Sequence, residues 1–521
     1  MTLSRRGFLG LLGGVGAAAT LGAGVPWLAS PVEIGRLLRS RIPLPAPFAV
    51  PLPVPPVLRP RTDATTDYYE ITQRAAVHEI LPGVRTEIWG YDGQFPGPTI
   101  VSRSGRRTVV QHENRLPVPT VVHLHGGHTP AESDGYPTDL ILPVGQDHAM
   151  SHSMPGMGMG MTDHRAVVTK GTRTYEYPMH QRAATLWYHD HRMDFTGASV
   201  WRGLAGFHLV QDDEEAALPL PHTERDIPLM LTDRAFDADG SLAYPSLDPT
   251  LQDKPGVEAA YGEGVLGDVI LVNGAPWPQA EVDAARYRFR MLNASNARRY
   301  RLALDPPPPG GAGLVQIGSD GGLLAQAIAH DEVEIAPAER FDVVIDFSRY
   351  RVGDRVRLVN RLGSDTTANV MQFVIARTAR DDSHLPDQLS RIEMLDPAKA
   401  TVTRDVVFRT SGGGMWTVNG QPFDPNRADT IARLGATEIW RFTTDFHHPV
   451  HIHHSPFQVL TRNGRSPGRY DSGWKDTVIV EPAGQLSVII RFDEYAGRFL
   501  YHCHNLEHED MAMMANLEIQ P

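Results

Sequence analysis

The stretch His502-Cys503-His504-Asn505-Leu506-Glu507-His508-Glu509-Asp510-Met511-Ala512-Met513 decides the reading of this chain, because it holds the sole cysteine inside the densest run of metal-ligand side chains. On a strand, successive side chains point to opposite faces, so His502 and His504 face one way and Cys503 the other. One strand can then serve two metal sites. From Cys503 the pattern runs through His508 to Met513. Thiolate, imidazole and weak axial thioether make up the donor set of a blue-copper electron-transfer centre that lacks one histidine.

Working outward, His448-Pro449-Val450-His451-Ile452-His453 offers that histidine, 55 residues before the cysteine. Two further pairs stand at His123-Leu124-His125 and His189-Asp190-His191, so that ten of the 23 histidines fall in four short clusters. A lone His-x-His pair is most simply a half-buried strand with hydrogen-bonded imidazoles. Four clusters with a cysteine outweigh that reading, since copper favours imidazole nitrogen with one thiolate at an electron-transfer site. Zinc fits less well, because a structural zinc site usually recruits several cysteines and needs only four ligands.

In this order and spacing the clusters resemble the multicopper oxidases, over about residues 60 to 521. Within that family the likeness is to the bacterial spore-coat laccase and bilirubin oxidase group, through Val122-His123-Leu124-His125-Gly126-Gly127, Leu186-Trp187-Tyr188-His189-Asp190-His191 and Val269-Ile270-Leu271-Val272-Asn273-Gly274. The resemblance implies four copper ions. A type 1 copper takes His448, Cys503 and His508 with Met513 axial, a type 2 copper His123 and His451, and a type 3 pair His125, His189, His191, His453, His502 and His504. It also implies one-electron oxidation of a donor at the type 1 site, repeated four times, with dioxygen reduced to water at the other three coppers. Cys503, flanked by two type 3 ligands, gives the electron a short through-bond path. Protons are needed as well, and by position Glu509 and Asp134 match the acids of the laccase group that relay them. The other reading of Glu509 is a residue that orients a ligand. Trp474-Lys475-Asp476-Thr477-Val478 looks like a family element supporting the type 1 region, or an ordinary turn and strand.

The length gives a prior of about three to four domains, each large enough for a core. Composition is that of a soluble globular protein, and the formal charge of −12 argues against a general nucleic-acid binder. One cysteine excludes any intramolecular disulfide. Ser4-Arg5-Arg6-Gly7-Phe8-Leu9, followed by a Gly/Ala/Leu run to about Val25, reads as a twin-arginine export signal over residues 1–30, which implies the matching export machinery as a partner and a periplasmic or extracellular destination. The alternative is a membrane anchor, although the glycines make the run weakly hydrophobic.

Residues 31–61 form a proline-rich lead-in, read as a strap or linker with too few amide donors to enter a sheet interior. Beyond it, short alternating runs broken by Gly, Pro, Asn and Asp predict an all-β chain. Three similar turns recur at Asp92-Gly93-Gln94-Phe95-Pro96, Asn273-Gly274-Ala275-Pro276-Trp277 and Asn419-Gly420-Gln421-Pro422-Phe423. Each is followed by a strand, at Val109, Arg288 and Ile439, with matching end strands expected near Gly206–Val210, Phe341–Ile345 and Met514–Glu518. The expectation is three consecutive cupredoxin-like Greek-key β-sandwich domains, at 62–213, 222–380 and 402–521. All ten clustered histidines belong to the first and third repeats, so the middle one is a spacer and the terminal two must meet to share a cluster.

An insertion between the first two histidine pairs fits none of this. His148, Met150, His152, Met154, Met157, Met159, Met161 and His164 are soft thioether and imidazole donors suited to Cu(I), in a segment with no helical or strand period. Functions therefore divide. The leading one is an exported oxidase of phenolic, aromatic amine or bilirubin-like donors. A cuprous oxidase for copper tolerance using residues 148–164 is the alternative. A non-enzymatic cell-envelope protein on the same fold is weighed down by the complete ligand set. A copper nitrite reductase would need only two copper sites in about two domains.

Overall fold

The computed structural model describes residues 35–146, 162–412 and 414–521. The expected export signal and most of the methionine-rich insertion lie outside them. Among the described residues the large sheets come in three pairs, with strands from Arg61–Thr62 to Ala205–Gln211, from Asp226–Phe236 to Asn369–Thr378, and from Val402–Thr410 to Met514–Gln520. The chain is all-β in a cupredoxin-like arrangement.

Each pair repeats one pairing rule. An opening strand runs parallel to a later one in the same sheet: Thr66–His78 with Arg107–Asn114, Asp226–Phe236 with Arg286–Asn293, Val402–Thr410 with Thr437–Thr444. In the opposite sheet the parallel partners are Gly97–Arg103 with Ala205–Gln211, Gln279–Ala284 with Asn369–Thr378, and Thr430–Arg433 with Met514–Gln520. Parallel neighbours need a crossover, so these pairs carry the Greek-key connections.

The middle repeat departs from the expected assignment of its end strand. Its closing strand is Asn369–Thr378. Arg340–Asp346, the run expected there, instead pairs antiparallel with Arg286–Asn293, the place held by Thr172–Tyr177 and Gln485–Arg491 in the other repeats. Both middle strands carry a buried apolar set, Phe341, Val343 and Ile345 in one and Val370, Phe373 and Ile375 in the other, which hides the difference in sequence. The lead-in pairs parallel with Val265–Gly267 over Arg36–Leu38, and its proline-rich part makes only single bridges, Pro51 to Gln279 and Val57 to Thr99, as its missing amide donors require.

The side-chain period decides what the inner strands do. Thr172–Tyr177 alternates exposed and buried, with Tyr175 and Tyr177 inward. Val122–His125 and Ala184–Asp190 are buried on both faces. Val122, Leu124, Leu186 and Tyr188 enter the core of the first sandwich, which leaves His123, His125 and His189 on the other face. In the third sandwich Phe499, Tyr501 and Cys503 face the core while Leu500 and His502 lie outside it.

Candidate metal centre

Registry across strands brings the histidines together before any tertiary contact is needed. His189 lies opposite His123, His451 opposite His502, and Val450 opposite Cys503. The first and third repeats then meet, and the ten histidines with Cys503 form two sites, one on each face of the strand that ends at Cys503.

On the core face, His448, Cys503 and His508 converge. His448 Nδ1 is 3.3 Å and His508 Nδ1 3.6 Å from Cys503 Sγ, and the two nitrogens are 3.2 Å apart. All three residues are fully buried. Burial pushes the thiol pKa up and the His508 pKa down, so the imidazole is in its neutral, metal-binding form, while a thiolate here requires a cation beside it. Met513 is buried in the same cluster, and its carbonyl accepts the Cys503 N–H at 3.1 Å.

On the other face, His125, His189 and His504 form one set of converging donors, His191, His453 and His502 a second, and His123 with His451 stands between them beside His125. His453 Nε2 and His502 Nε2 face each other at 3.2 Å. Desolvation lowers the pKa of His123, His125, His191, His451, His453 and His504 well below the ordinary value and that of His189 to about 4. Among the described residues, His123 Nε2, His451 Nε2, His125 Nδ1, His189 Nε2 and both nitrogens of His191 and His504 have no hydrogen-bond partner. Buried polar atoms are rarely left so. Orphaned neutral imidazoles on one face, and a trigonal set of two imidazole nitrogens and one sulfur on the other, are a donor chemistry that fits four copper ions.

Both expected acids lie against this site. Asp134 Oδ2 is 2.7 Å from His453 Nδ1, and its carbonyl oxygen 2.5 Å from His123 Nδ1. Burial raises the Asp134 carboxyl to about 6. Gly135 permits this approach. Its φ is +85°, and a Cβ there would stand 2.2 Å from the Val122 carbonyl oxygen. Glu509 lies against two of these histidines at once, Oε1 3.2 Å from His191 Nδ1 and Oε2 3.2 Å from His502 Nδ1.

Some expectations moved. Asp476 borders the eight-histidine face, with Oδ1 3.1 Å from His125 Nε2 and its carbonyl 2.8 Å from His451 Nδ1, although the strand Thr477–Val480 also pairs with the one that carries His448. His148, Met150, His152, Met154, Met157, Met159 and Met161 lie outside the described residues, and His164 is exposed with its amide on Asn426. Sequence reasoning missed Trp416, whose indole covers His508, and Arg340, which grips Asp476. Nothing in the local sequence around either residue marks it. It also missed a cavity of about 320 Å³ that runs from exposed His180 and Glu494, past His128, to buried His123 and His451.

Comparison with known proteins bears on the same residues. Family models described as multicopper oxidase match residues 74–155, 145–215 and 394–521. A laccase from Bacillus stratosphericus is 37% identical, over 91% of this chain and 99% of its own. A bilirubin oxidase from Albifimbria verrucaria is 34% identical, over 90% of this chain and 80% of its own. Among solved structures, a laccase from Pediococcus acidilactici superposes with a TM-score of 0.79 at 32% identity, covering 93% of this chain and 96% of that one. With its histidine-bearing ends matched and full-length relatives above 30% identity, the chain belongs to the multicopper oxidases.

Proposed function

We propose that the chain oxidises phenolic, aromatic amine or bilirubin-like donors one electron at a time and couples four such steps to reduction of dioxygen to two waters, with uptake of four protons. His448, Cys503, His508 and Met513 would hold the type 1 copper, His123 and His451 the type 2 copper, and His125, His189, His504 and His191, His453, His502 the type 3 pair. Bound copper supplies the one-electron and dioxygen chemistry. The observation that carries the reading is Cys503 itself. Its sulfur faces one site, while its covalent neighbours His502 and His504 belong to the two three-histidine sets of the other.

The chain's own groups do the rest. Asp134 Oδ1 is buried, has no hydrogen-bond partner among the described residues and lies 3.7 Å from His123 Nδ1, where it can hold a proton beside His123 and His453. Glu509 stands between His191 and His502, where it can deliver one. The cavity ending at His123 and His451 gives small molecules a way in and water a way out. We further propose export through the twin-arginine machinery to the periplasm or beyond, supported by residues 4 to 25. Replacing Arg5 and Arg6 together by lysine retains the protein in the cytoplasm on this reading.

One observation favours the alternative donor, Cu(I). His508 is fully buried with Trp416 stacked on its ring, so among the described residues no face of it is open to a bulky ring. Steady-state oxygen uptake by the copper-loaded protein, with Cu(I), a bulky phenol and bilirubin compared side by side, tests both. Faster turnover of the organic donors supports the first reading, and dominance of Cu(I) replaces it with the second.

A further inference from the structure

The middle repeat offers no copper ligand, yet one of its side chains reaches the histidine site. Arg340 opens the strand Arg340–Asp346 and is fully buried. Its guanidinium ties three repeats together. Nε donates to the Thr185 carbonyl at 2.9 Å, on the strand that carries His189. Nη1 donates to the Ala338 carbonyl at 3.0 Å and to Asp476 Oδ1 at 2.7 Å. Nη2 donates to the Asp320 carbonyl at 3.2 Å and makes a second contact with Asp476 Oδ2, which closes a two-pronged fork on the carboxylate. Gly126 makes room for it. Its φ is +84°, and a Cβ would lie 2.5 Å from Arg340 Nη2 and 2.8 Å from Asp476 Oδ2.

Asp476 uses that fixed position twice. A neutral imidazole carries one N–H, and whatever accepts it decides which nitrogen keeps the lone pair. His125 Nε2 lies 3.1 Å from Asp476 Oδ1 and 3.0 Å from Thr477 Oγ1, so the proton is held there and the unpartnered Nδ1 is left as the donor. His451 Nδ1 donates to the Asp476 carbonyl at 2.8 Å, which leaves its unpartnered Nε2. The main chain of the same segment is pinned by Asp320, whose Oδ2 accepts the amides of Asp476 and Thr477, while Lys475 Nζ bridges Asp320 and Glu339 at 3.1 and 3.2 Å. A buried carboxylate stripped of its cation does not keep such a place.

We propose that Arg340 is a positioning residue for the three-copper site. By clamping Asp476 it sets the tautomers of His125 and His451, so the ligand-free middle repeat helps determine whether type 2 and type 3 copper bind. This rests on the reading of the eight-histidine face as a three-copper site. The test is Arg340→Gln, with Arg340→Lys beside it, in copper-loaded full-length protein. Copper content, blue absorbance, the paramagnetic resonance of the non-blue Cu(II) and the near-ultraviolet type 3 band are read together. Arg340→Gln is expected to keep its blue colour while its affinity for the other three coppers falls about tenfold or more, as loss of a partner behind a metal ligand does. Arg340→Lys, which restores charge without the fork, falls between. Unchanged non-blue signals in Arg340→Gln, or equal loss of blue and non-blue copper, overturns the proposal. Should Arg340→Gln fail to fold, an Arg340→Lys protein with wild-type non-blue signals overturns it equally. A wild-type protein with no non-blue copper would instead refute the reading of the site.

Discussion

Trp416 lies against His508 with ring centroids 3.7 Å apart and 27° between the planes, and its Nε1 donates to the Gly262 carbonyl at 3.2 Å. The indole thus closes the core-face site from outside, held by a backbone group of the middle repeat. Trp416→Ala is expected to leave the protein blue and to raise kcat/KM for a bulky phenol, with little change for Cu(I). A gain below about twofold, roughly 0.4 kcal/mol in the barrier, would show that the indole does not gate donors.

Cys503→Ser is expected to remove both the blue colour and donor-driven oxygen uptake. On the proposed reading the sulfur, 3.3 and 3.6 Å from two imidazole nitrogens, would be the charge-transfer donor, and its backbone joins it to His502 and His504. Oxygen uptake that survives in this variant would sink the electron route.

The histidine clusters that converge in the fold were legible in the sequence because their spacing is local. A pair two apart on a strand shares a face, and Cys503 between His502 and His504 takes the opposite one, a consequence of backbone geometry alone. The three-sandwich order was legible for a similar reason, since the turns at Asp92, Asn273 and Asn419 repeat. What the sequence hid depends on contacts distant in the chain. Trp416 reaches His508, and Arg340 reaches Asp476, 136 residues away. The closing strand of the middle repeat was misread because Arg340–Asp346 and Asn369–Thr378 each carry a similar buried apolar set, and no histidine distinguishes them. The spacer role expected of that repeat was incomplete for the same reason, because a buried arginine has no periodic signature.

Glu509→Gln keeps the shape of the side chain between His191 and His502 but removes its ability to give up a proton. The variant is expected to load copper and to be reduced by donor at the normal rate, while reoxidation by dioxygen slows at least about a hundredfold, the low end for loss of a general acid or base. Stopped-flow reduction and reoxidation measured separately decide it. Copper loss with normal reoxidation of the fully loaded fraction would make Glu509 an orienter of its two histidines and nothing more.

Acid stability follows from histidines away from the copper ligands. His112 is packed among Tyr91, Tyr175 and Tyr188, and His208 lies 2.7 Å from the Ser102 hydroxyl. Burial drives both pKa values down to about 3. The native state therefore refuses a proton that the unfolded chain accepts near its ordinary value of about 6.5. The stabilising contribution is complete above that pH and is lost as pH falls from about 6.5 toward 3, with a limiting slope of about 1.4 kcal/mol per pH unit for each histidine. Between pH 7 and pH 5 each one accounts for roughly 2 kcal/mol. His112→Gln, which cannot take up that proton in either state, is expected to lose roughly 2 kcal/mol less than the wild type over this interval, whatever its stability at pH 7. Urea unfolding of the copper-loaded proteins at the two pH values measures the difference directly. An identical acid loss in both proteins would mean that His112 is protonated in the folded state.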